Sequence, residues 1–270
     1  MSLVVFSHAN SYPAATYGVL FAQLRARGFT VRAVPMFGHD PAYPVTNNWP
    51  HLVRQLFDFA EPEAVKAGEP AWLVGHSLGG FLSVMCAARH PEVARGVVLL
   101  DSPLVGGWKA AALAAAKRTA LVGRVSPGAV SRNRRERWPS LQAALEHFRS
   151  KKLFARWDPQ VLQDYVAHGT RPEGPERVLA FDRAVETAIY NTLPDHLERL
   201  LRRHPLRCPA AFIGGTQSSE LKQVGLALTE KITHGRMMRL EGSHLFPMEQ
   251  PVATAAAIEA SLLAMGLASA

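Results

Sequence analysis

Short, mostly apolar runs without clean polar alternation recur along the chain: Leu3 to Phe6, Thr30 to Pro35, Ala71 to Val74, Gly96 to Leu100, Ala210 to Ile213 and Met237 to Leu240. Runs of this kind suit strands covered on both faces, as in parallel sheets. Between most of them the apolar residues recur at helical spacing, over Tyr17 to Arg27, Trp49 to Ala67, Leu78 to Arg89, Ser219 to Lys231 and Val252 to Met265. Several of these segments close on Gly or Pro, which stop helices. The alternation of strand and helix predicts an α/β fold with a doubly wound, mostly parallel six-stranded sheet.

The rhythm breaks between Pro103 and Pro205. These roughly one hundred residues carry helix-like periodicity, turn pairs such as Arg171-Pro172 and Gly174-Pro175, and no convincing strand. They read as a helical cap, 103–205, inserted into a core made of 1–102 and 206–270. A length of 270 residues, 48% of them apolar, supports one large core and not two full-size domains. There is no internal repeat, and no low-complexity tract beyond the alanine-rich helix at Ala110 to Ala116.

Charge changes the picture in one place. The segment from Pro103 to Pro205 holds 18 of the 30 Lys and Arg but 10 of the 22 Asp and Glu, so it carries the whole net charge of +8. A basic cap could draw anionic small molecules, lipid surfaces or nucleic acid; the simpler reading is an arginine-rich solvated surface, and no nucleic-acid module accompanies it. The low-charge stretches are too short and alanine-rich for a membrane span. Met1 to Phe6 runs straight into a core strand without a signal-peptide pattern, so a cytoplasmic protein is expected. Two cysteines, Cys86 and Cys208, are too few for a disulfide framework and read as free thiols.

The strongest local signal is Trp72-Leu-Val-Gly75-His76-Ser77-Leu78-Gly79-Gly80, a strand running through G-x-S-x-G into a helix. This is a nucleophile elbow: a strained turn presents the Ser77 hydroxyl at a helix N-terminus, and Gly75 and Gly79 lack side chains so that strand and helix can approach. A serine hydroxyl needs a base. His244, in Gly242-Ser-His244-Leu-Phe-Pro247 between the last strand and the last helix, has the order and place for it. The other histidines lack the close spacing of zinc ligands. The oxyanion hole is expected from the backbone N–H of Leu78 and a second N–H in the loop Ser7-His8-Ala9-Asn10-Ser11, from Asn10 or alternatively Ala9. Each such donor typically contributes about 3 kcal/mol to the transition state. His8 reads as a brace for that loop.

Together, His8-Ala9-Asn10, Gly75-His-Ser77-Leu-Gly79-Gly80, Leu99-Leu-Asp101-Ser-Pro103 and Gly242-Ser-His244 resemble the α/β-hydrolase superfamily over about 1–102 and 206–270. The resemblance implies a Ser-acid-His triad and an acyl-enzyme route. Two departures stand out. The superfamily usually has an antiparallel strand or pair ahead of the strand that leads to the oxyanion loop, whereas this chain begins on that strand, so a trimmed sheet is expected. The usual acid position, in the loop Gly214-Gly215-Thr216-Gln217-Ser218-Ser219-Glu220, holds a serine. Glu220 lies about two residues late, where a helix N-terminus gives a carboxylate its own reason to exist. Asp101, 24 residues beyond Ser77, ends the strand after the nucleophile strand. It matches the acid placement of a subset resembling the short-chain esterase and dehalogenase branches, although Asp-Ser-Pro could also simply turn the chain.

A serine nucleophile points to carbonyl chemistry: a serine hydrolase acting on an ester-like bond of a small-molecule acyl substrate. Thioesterase, amidase, lactonase and carbon-carbon hydrolase chemistries share the same groups. Two rivals use the same scaffold, namely a small-molecule-binding or regulatory protein and a cofactor-free lyase or perhydrolase. No cofactor or metal is implied by any phosphate loop or ligand cluster. Oligomeric state has no signal in the sequence.

Overall fold

Each of the six expected strands forms, and all six lie in one parallel sheet. The computed structural model describes residues 2–118 and 134–267; residues 119–133, part of the expected cap, lie outside the described residues. The described strands in chain order are β1 (Leu3–Ser7), β2 (Thr30–Ala33), β3 (Ala71–His76), β4 (Ala94–Leu100), β5 (Arg137–Trp138), β6 (Thr170–Glu173), β7 (Glu176–Leu179), β8 (Ala210–Gly215) and β9 (Met237–Leu240). The large sheet has the order β2-β1-β3-β4-β8-β9.

Both faces of this sheet are covered, which is why its strands read as apolar runs. Leu3, Val5 and Leu73 join one apolar layer with α2 (Pro50–Ala67) and α3 (Leu78–Arg89). Val4, Phe6 and Val74 point the opposite way, toward α1 (Gly18–Ala26) and the last helix, Pro251–Leu267. Each fully buried aliphatic side chain of this kind stabilises the fold by roughly 1.5–3 kcal/mol.

The order also fixes where a site can form. From β1 the chain moves outward to β2, then returns across β1 to β3, so the winding direction reverses between β1 and β3. A crevice opens at such a switch point, beyond the carboxyl ends of the strands. The loop after β1 and the turn after β3 both lie there.

The insertion between β4 and β8 is mostly helical, with α4 (Gly107–Arg118), α5 (Leu141–Arg149), α6 (Pro159–Gly169), α7 (Arg183–Asn191) and α8 (Leu197–Arg203). It also contains a three-stranded antiparallel sheet, β5-β7-β6, which the sequence did not announce. These strands are two to four residues long and rich in charge, so they lack an apolar run. Gly174-Pro175 is their hairpin turn, with Glu173 opposite Glu176, and Arg137 forms ion pairs with both glutamates. Part of the insertion's arginine excess is thus taken up internally.

The expected helix from Ser219 to Lys231 divides into α9 (Ser219–Val224) and α10 (Ala227–Thr233), because Gly225 adopts φ 79° between them. The chain ends with the short α11 (Phe246–Glu249) and α12 (Pro251–Leu267). Among the described residues no helix is long and apolar enough to cross a membrane.

Candidate active site

Ser77 sits between β3 and α3 with φ 52° and ψ −116°, a conformation that costs a non-glycine residue on the order of 1–3 kcal/mol. The turn persists because its surroundings force it. Ser77 N–H donates to Leu100 O at 3.0 Å, tying the turn to β4. A Cβ on Gly75 would lie 2.1 Å from the Gly79 carbonyl oxygen, and one on Gly79 would lie 1.9 Å from that of Ser7. Strand, helix and the loop after β1 therefore approach as closely as backbone allows.

His244 reaches this serine from the turn between β9 and α11: its Nε2 is 3.0 Å from Ser77 Oγ. Its Nδ1 is 2.7 Å from Asp101 Oδ2. Asp101, fully buried at the end of β4, also accepts hydrogen bonds from Gly215 N–H at 2.7 Å and from the Ser218 hydroxyl at 2.6 Å. A carboxylate oxygen at 2.7 Å accepts the His244 proton on Nδ1, which leaves Nε2 as an acceptor toward Ser77.

Glu220 stands farther off. Its Oε2 lies 3.9 Å from His244 Nδ1, and its side chain is 41% exposed. It accepts from the Ser219 hydroxyl at 2.9 Å; Ser218 has one proton, and the 2.6 Å contact directs it to Asp101 and not to Glu220 at 3.3 Å. Burial opposes protonation of His244, but the hydrogen bond that its Nδ1–H donates to Asp101 and the negative charges of Glu220 and Asp101 outweigh it and raise its pKa above that of an ordinary histidine. Glu220 is in turn lowered: burial works against its charge, and the His244 charge and nearby donors prevail.

Leu78 opens α3, so its N–H has no intrahelical acceptor. Of the two backbone donors expected after β1, Ala9 N–H is engaged by Tyr17 Oη at 3.1 Å, whereas Asn10 N–H has no acceptor among the described residues. His8 braces this loop: it accepts from Phe37 N–H at 2.9 Å and donates to Ala9 O at 2.8 Å, and burial lowers its pKa to about 4.

The profile of the alpha/beta hydrolase family matches residues 4–257. The chain belongs to that family. Among curated relatives it is 34% identical over 103 residues to 2-(acetamidomethylene)succinate hydrolase of Mesorhizobium japonicum, a stretch that is 37% of this chain and 35% of the relative. It is 42% identical over 41 residues to the chloroplastic pheophytinase of Arabidopsis thaliana, 15% of this chain and 8% of the relative. The chain thus matches well under half the length of either. Solved structures with the same fold include E-2-(acetamidomethylene)succinate hydrolase, with TM-score 0.69 and 23% identity over 97% of this chain and 91% of the other. An esterase of M. tuberculosis superposes with TM-score 0.65 and 22% identity over 96% and 84%.

In this member of the alpha/beta hydrolase family, further residues that the sequence did not single out brace the segments around the candidate site. Glu186, on α7 and 4% exposed, reaches the loop after β1: its carbonyl accepts from Asn10 Nδ2 at 3.1 Å and its carboxylate accepts from the Ser11 hydroxyl. Arg134 donates to both Glu186 oxygens, at 3.2 and 3.0 Å, and to Tyr165 Oη at 2.7 Å. Glu249 accepts from Ser243 N–H at 3.0 Å and so holds the turn that bears His244. Glu186 and Ser11 are 175 residues apart, and nothing in the local pattern pairs them.

Proposed function

We propose that this α/β-hydrolase-family chain is a serine hydrolase that cleaves an ester-like carbonyl substrate through an acyl-enzyme on Ser77. The observation that carries the reading is the unbroken path from Ser77 Oγ to His244 Nε2 at 3.0 Å, and from His244 Nδ1 to the buried Asp101 carboxylate at 2.7 Å. His244 takes the Ser77 proton as Oγ attacks the carbonyl carbon. The resulting oxyanion is received by the N–H groups of Leu78 and Asn10. His244 then protonates the leaving group, and in the second half activates the water that releases the acyl group. Asp101 is the acid; Glu220 adds charge at longer range. The segment between β4 and β8 acts as the cap over this site. The substrate is a small molecule, and the basic insertion favours an anionic one.

A second reading keeps the nucleophile and changes the bond. It is favoured by the Mesorhizobium japonicum relative, whose named substrate, 2-(acetamidomethylene)succinate, is not a simple ester.

The deciding experiment is intact-mass labelling with a small fluorophosphonate, comparing wild type with Ser77→Ala. One adduct on wild type and none on the variant supports an activated Ser77. A folded wild type that stays unlabelled sinks the serine-hydrolase reading and favours a binding protein. Product analysis on acyl esters, thioesters and amidomethylene dicarboxylates then separates the two hydrolytic readings, and both from a lyase or perhydrolase.

A further inference from the structure

We propose that Tyr17 and His76 form a buried positioning pair that locks the oxyanion loop, the nucleophile turn and the backbone of the base into one register. The inference rests on Ser77 being the nucleophile and His244 its base.

Three hydrogen bonds make up the connection. Ala9 N–H donates to Tyr17 Oη at 3.1 Å. Tyr17 Oη is 2.7 Å from His76 Nδ1, and His76 Nε2 is 2.9 Å from the backbone oxygen of His244. Tyr17 is 1% exposed and His76 is fully buried, so water does not compete for these groups.

The direction of every proton in the chain follows from its ends. The His244 carbonyl can only accept, so His76 Nε2 carries the hydrogen. Burial, reinforced by the neighbouring His244, lowers the His76 pKa well below that of an ordinary histidine and keeps the ring neutral. A neutral ring with its hydrogen on Nε2 can only accept at Nδ1. Tyr17 must therefore donate to Nδ1, which leaves its oxygen lone pairs for Ala9 N–H. No link can reverse without stranding a buried donor or acceptor, so the network admits one tautomer of His76 and one direction for each hydrogen bond.

Each end lies one covalent step from a reacting group. Ala9 precedes Asn10, whose N–H is the proposed second oxyanion donor. The carbonyl held by His76 belongs to His244 itself, and His76 adjoins Ser77. Displacements of about 1 Å at such groups cost on the order of a hundredfold in rate. In the sequence Tyr17 falls in a helical pattern and His76 at the variable position of the elbow motif, and neither place signals a role.

The test joins a spectroscopic readout to a kinetic one. In wild type, 15N side-chain NMR should report His76 as the neutral Nε2–H tautomer throughout the pH range of activity. Tyr17→Phe keeps the ring that packs on Phe6 and Phe21 and removes only the hydroxyl. It should lower kcat by about tenfold to a hundredfold with KM within about threefold, and slow fluorophosphonate labelling of Ser77 in parallel. It should also shift the downfield resonance of the His244 Nδ1 proton. An Nδ1–H tautomer of His76 in wild type overturns the inference, even if Tyr17→Phe does not fold. So does a folded Tyr17→Phe with wild-type kcat and labelling rate. If wild type itself is not labelled, the serine-hydrolase reading fails first, and the positioning role with it.

Discussion

The Ser218 hydroxyl donates to Asp101 Oδ2 at 2.6 Å from the loop after β8. This is the position at which most members of the superfamily would be expected to carry the acid itself. Here the loop supplies a donor that holds a carboxylate rooted on β4, and the N–H of Gly215, the last residue of β8, supplies a second. The same hydroxyl accepts from Leu221 N–H at 3.3 Å as the N-cap of α9. Removing it in Ser218→Ala should therefore have two separable effects. Losing a hydrogen bond to a charged group is worth about 1.5–3 kcal/mol, so kcat/KM should fall by roughly tenfold to a hundredfold. Losing the cap costs about 1 kcal/mol of stability, a few degrees in Tm. Ser218→Thr, which keeps the hydroxyl, should restore most of the rate.

Replacing each carboxylate in turn discriminates the acids. Asp101 is buried and bonded to His244 Nδ1, whereas Glu220 is 3.9 Å away and partly exposed. Asp101→Asn should lower kcat by something on the order of 10⁴, the scale known for the equivalent change in a serine protease. Glu220→Gln should cost less than about tenfold, because Glu220 stands 3.9 Å from the ring, partly open to solvent that screens its charge, and leaves the Asp101 contact intact. Steady-state kinetics on one acyl ester suffices. Equal or reversed losses would overturn Asp101 as the acid.

The pH profile gives an independent reading of the same charges. His244 must be deprotonated to accept the Ser77 proton, and its pKa is raised above the ordinary value of 6.5. The rate should therefore fall as pH drops through a value above 6.5, and be fully developed only above it. Glu220 contributes to raising that pKa, so Glu220→Gln, which removes its negative charge, should move the acid limb of kcat/KM toward lower pH. A limb that does not move would mean that Glu220 does not act on the base electrostatically.

Much of this arrangement was legible in the sequence, and the reason is local. Six strands, the elbow at Ser77 and the turn at His244 each announce themselves within about ten residues, through apolar runs, glycines that steric crowding demands, and position relative to the strands. Asp101 needed the order of the strands as well. What stayed hidden depends on contacts between distant segments: the insertion's charged hairpin, which has no apolar run, and the partners of Ser218, Tyr17, His76 and Glu186. Polar residues of these types occur throughout the chain, and only the fold selects the few that meet.

Glu186 offers a test of whether the insertion helps to set the oxyanion loop. Its carboxylate, 5% exposed, is shared by Arg134 and the Ser11 hydroxyl, and Ser11 itself is held at φ 75°. Glu186→Gln leaves an oxygen that can still accept from Ser11 but removes the charge beside a largely buried Arg134. Breaking a buried pair in this way costs about 3–5 kcal/mol, so Tm should fall by roughly 6–20 °C for a domain of this size. Ser11→Ala does the opposite: it keeps the ion pair and releases the loop that carries Asn10, so kcat should fall several-fold with little change in Tm. Thermal unfolding and kinetics on the two variants read the two effects separately. If Ser11→Ala leaves kcat unchanged, the loop holds its shape without the hydrogen bond from Ser11 to the Glu186 carboxylate, and that carboxylate serves stability alone.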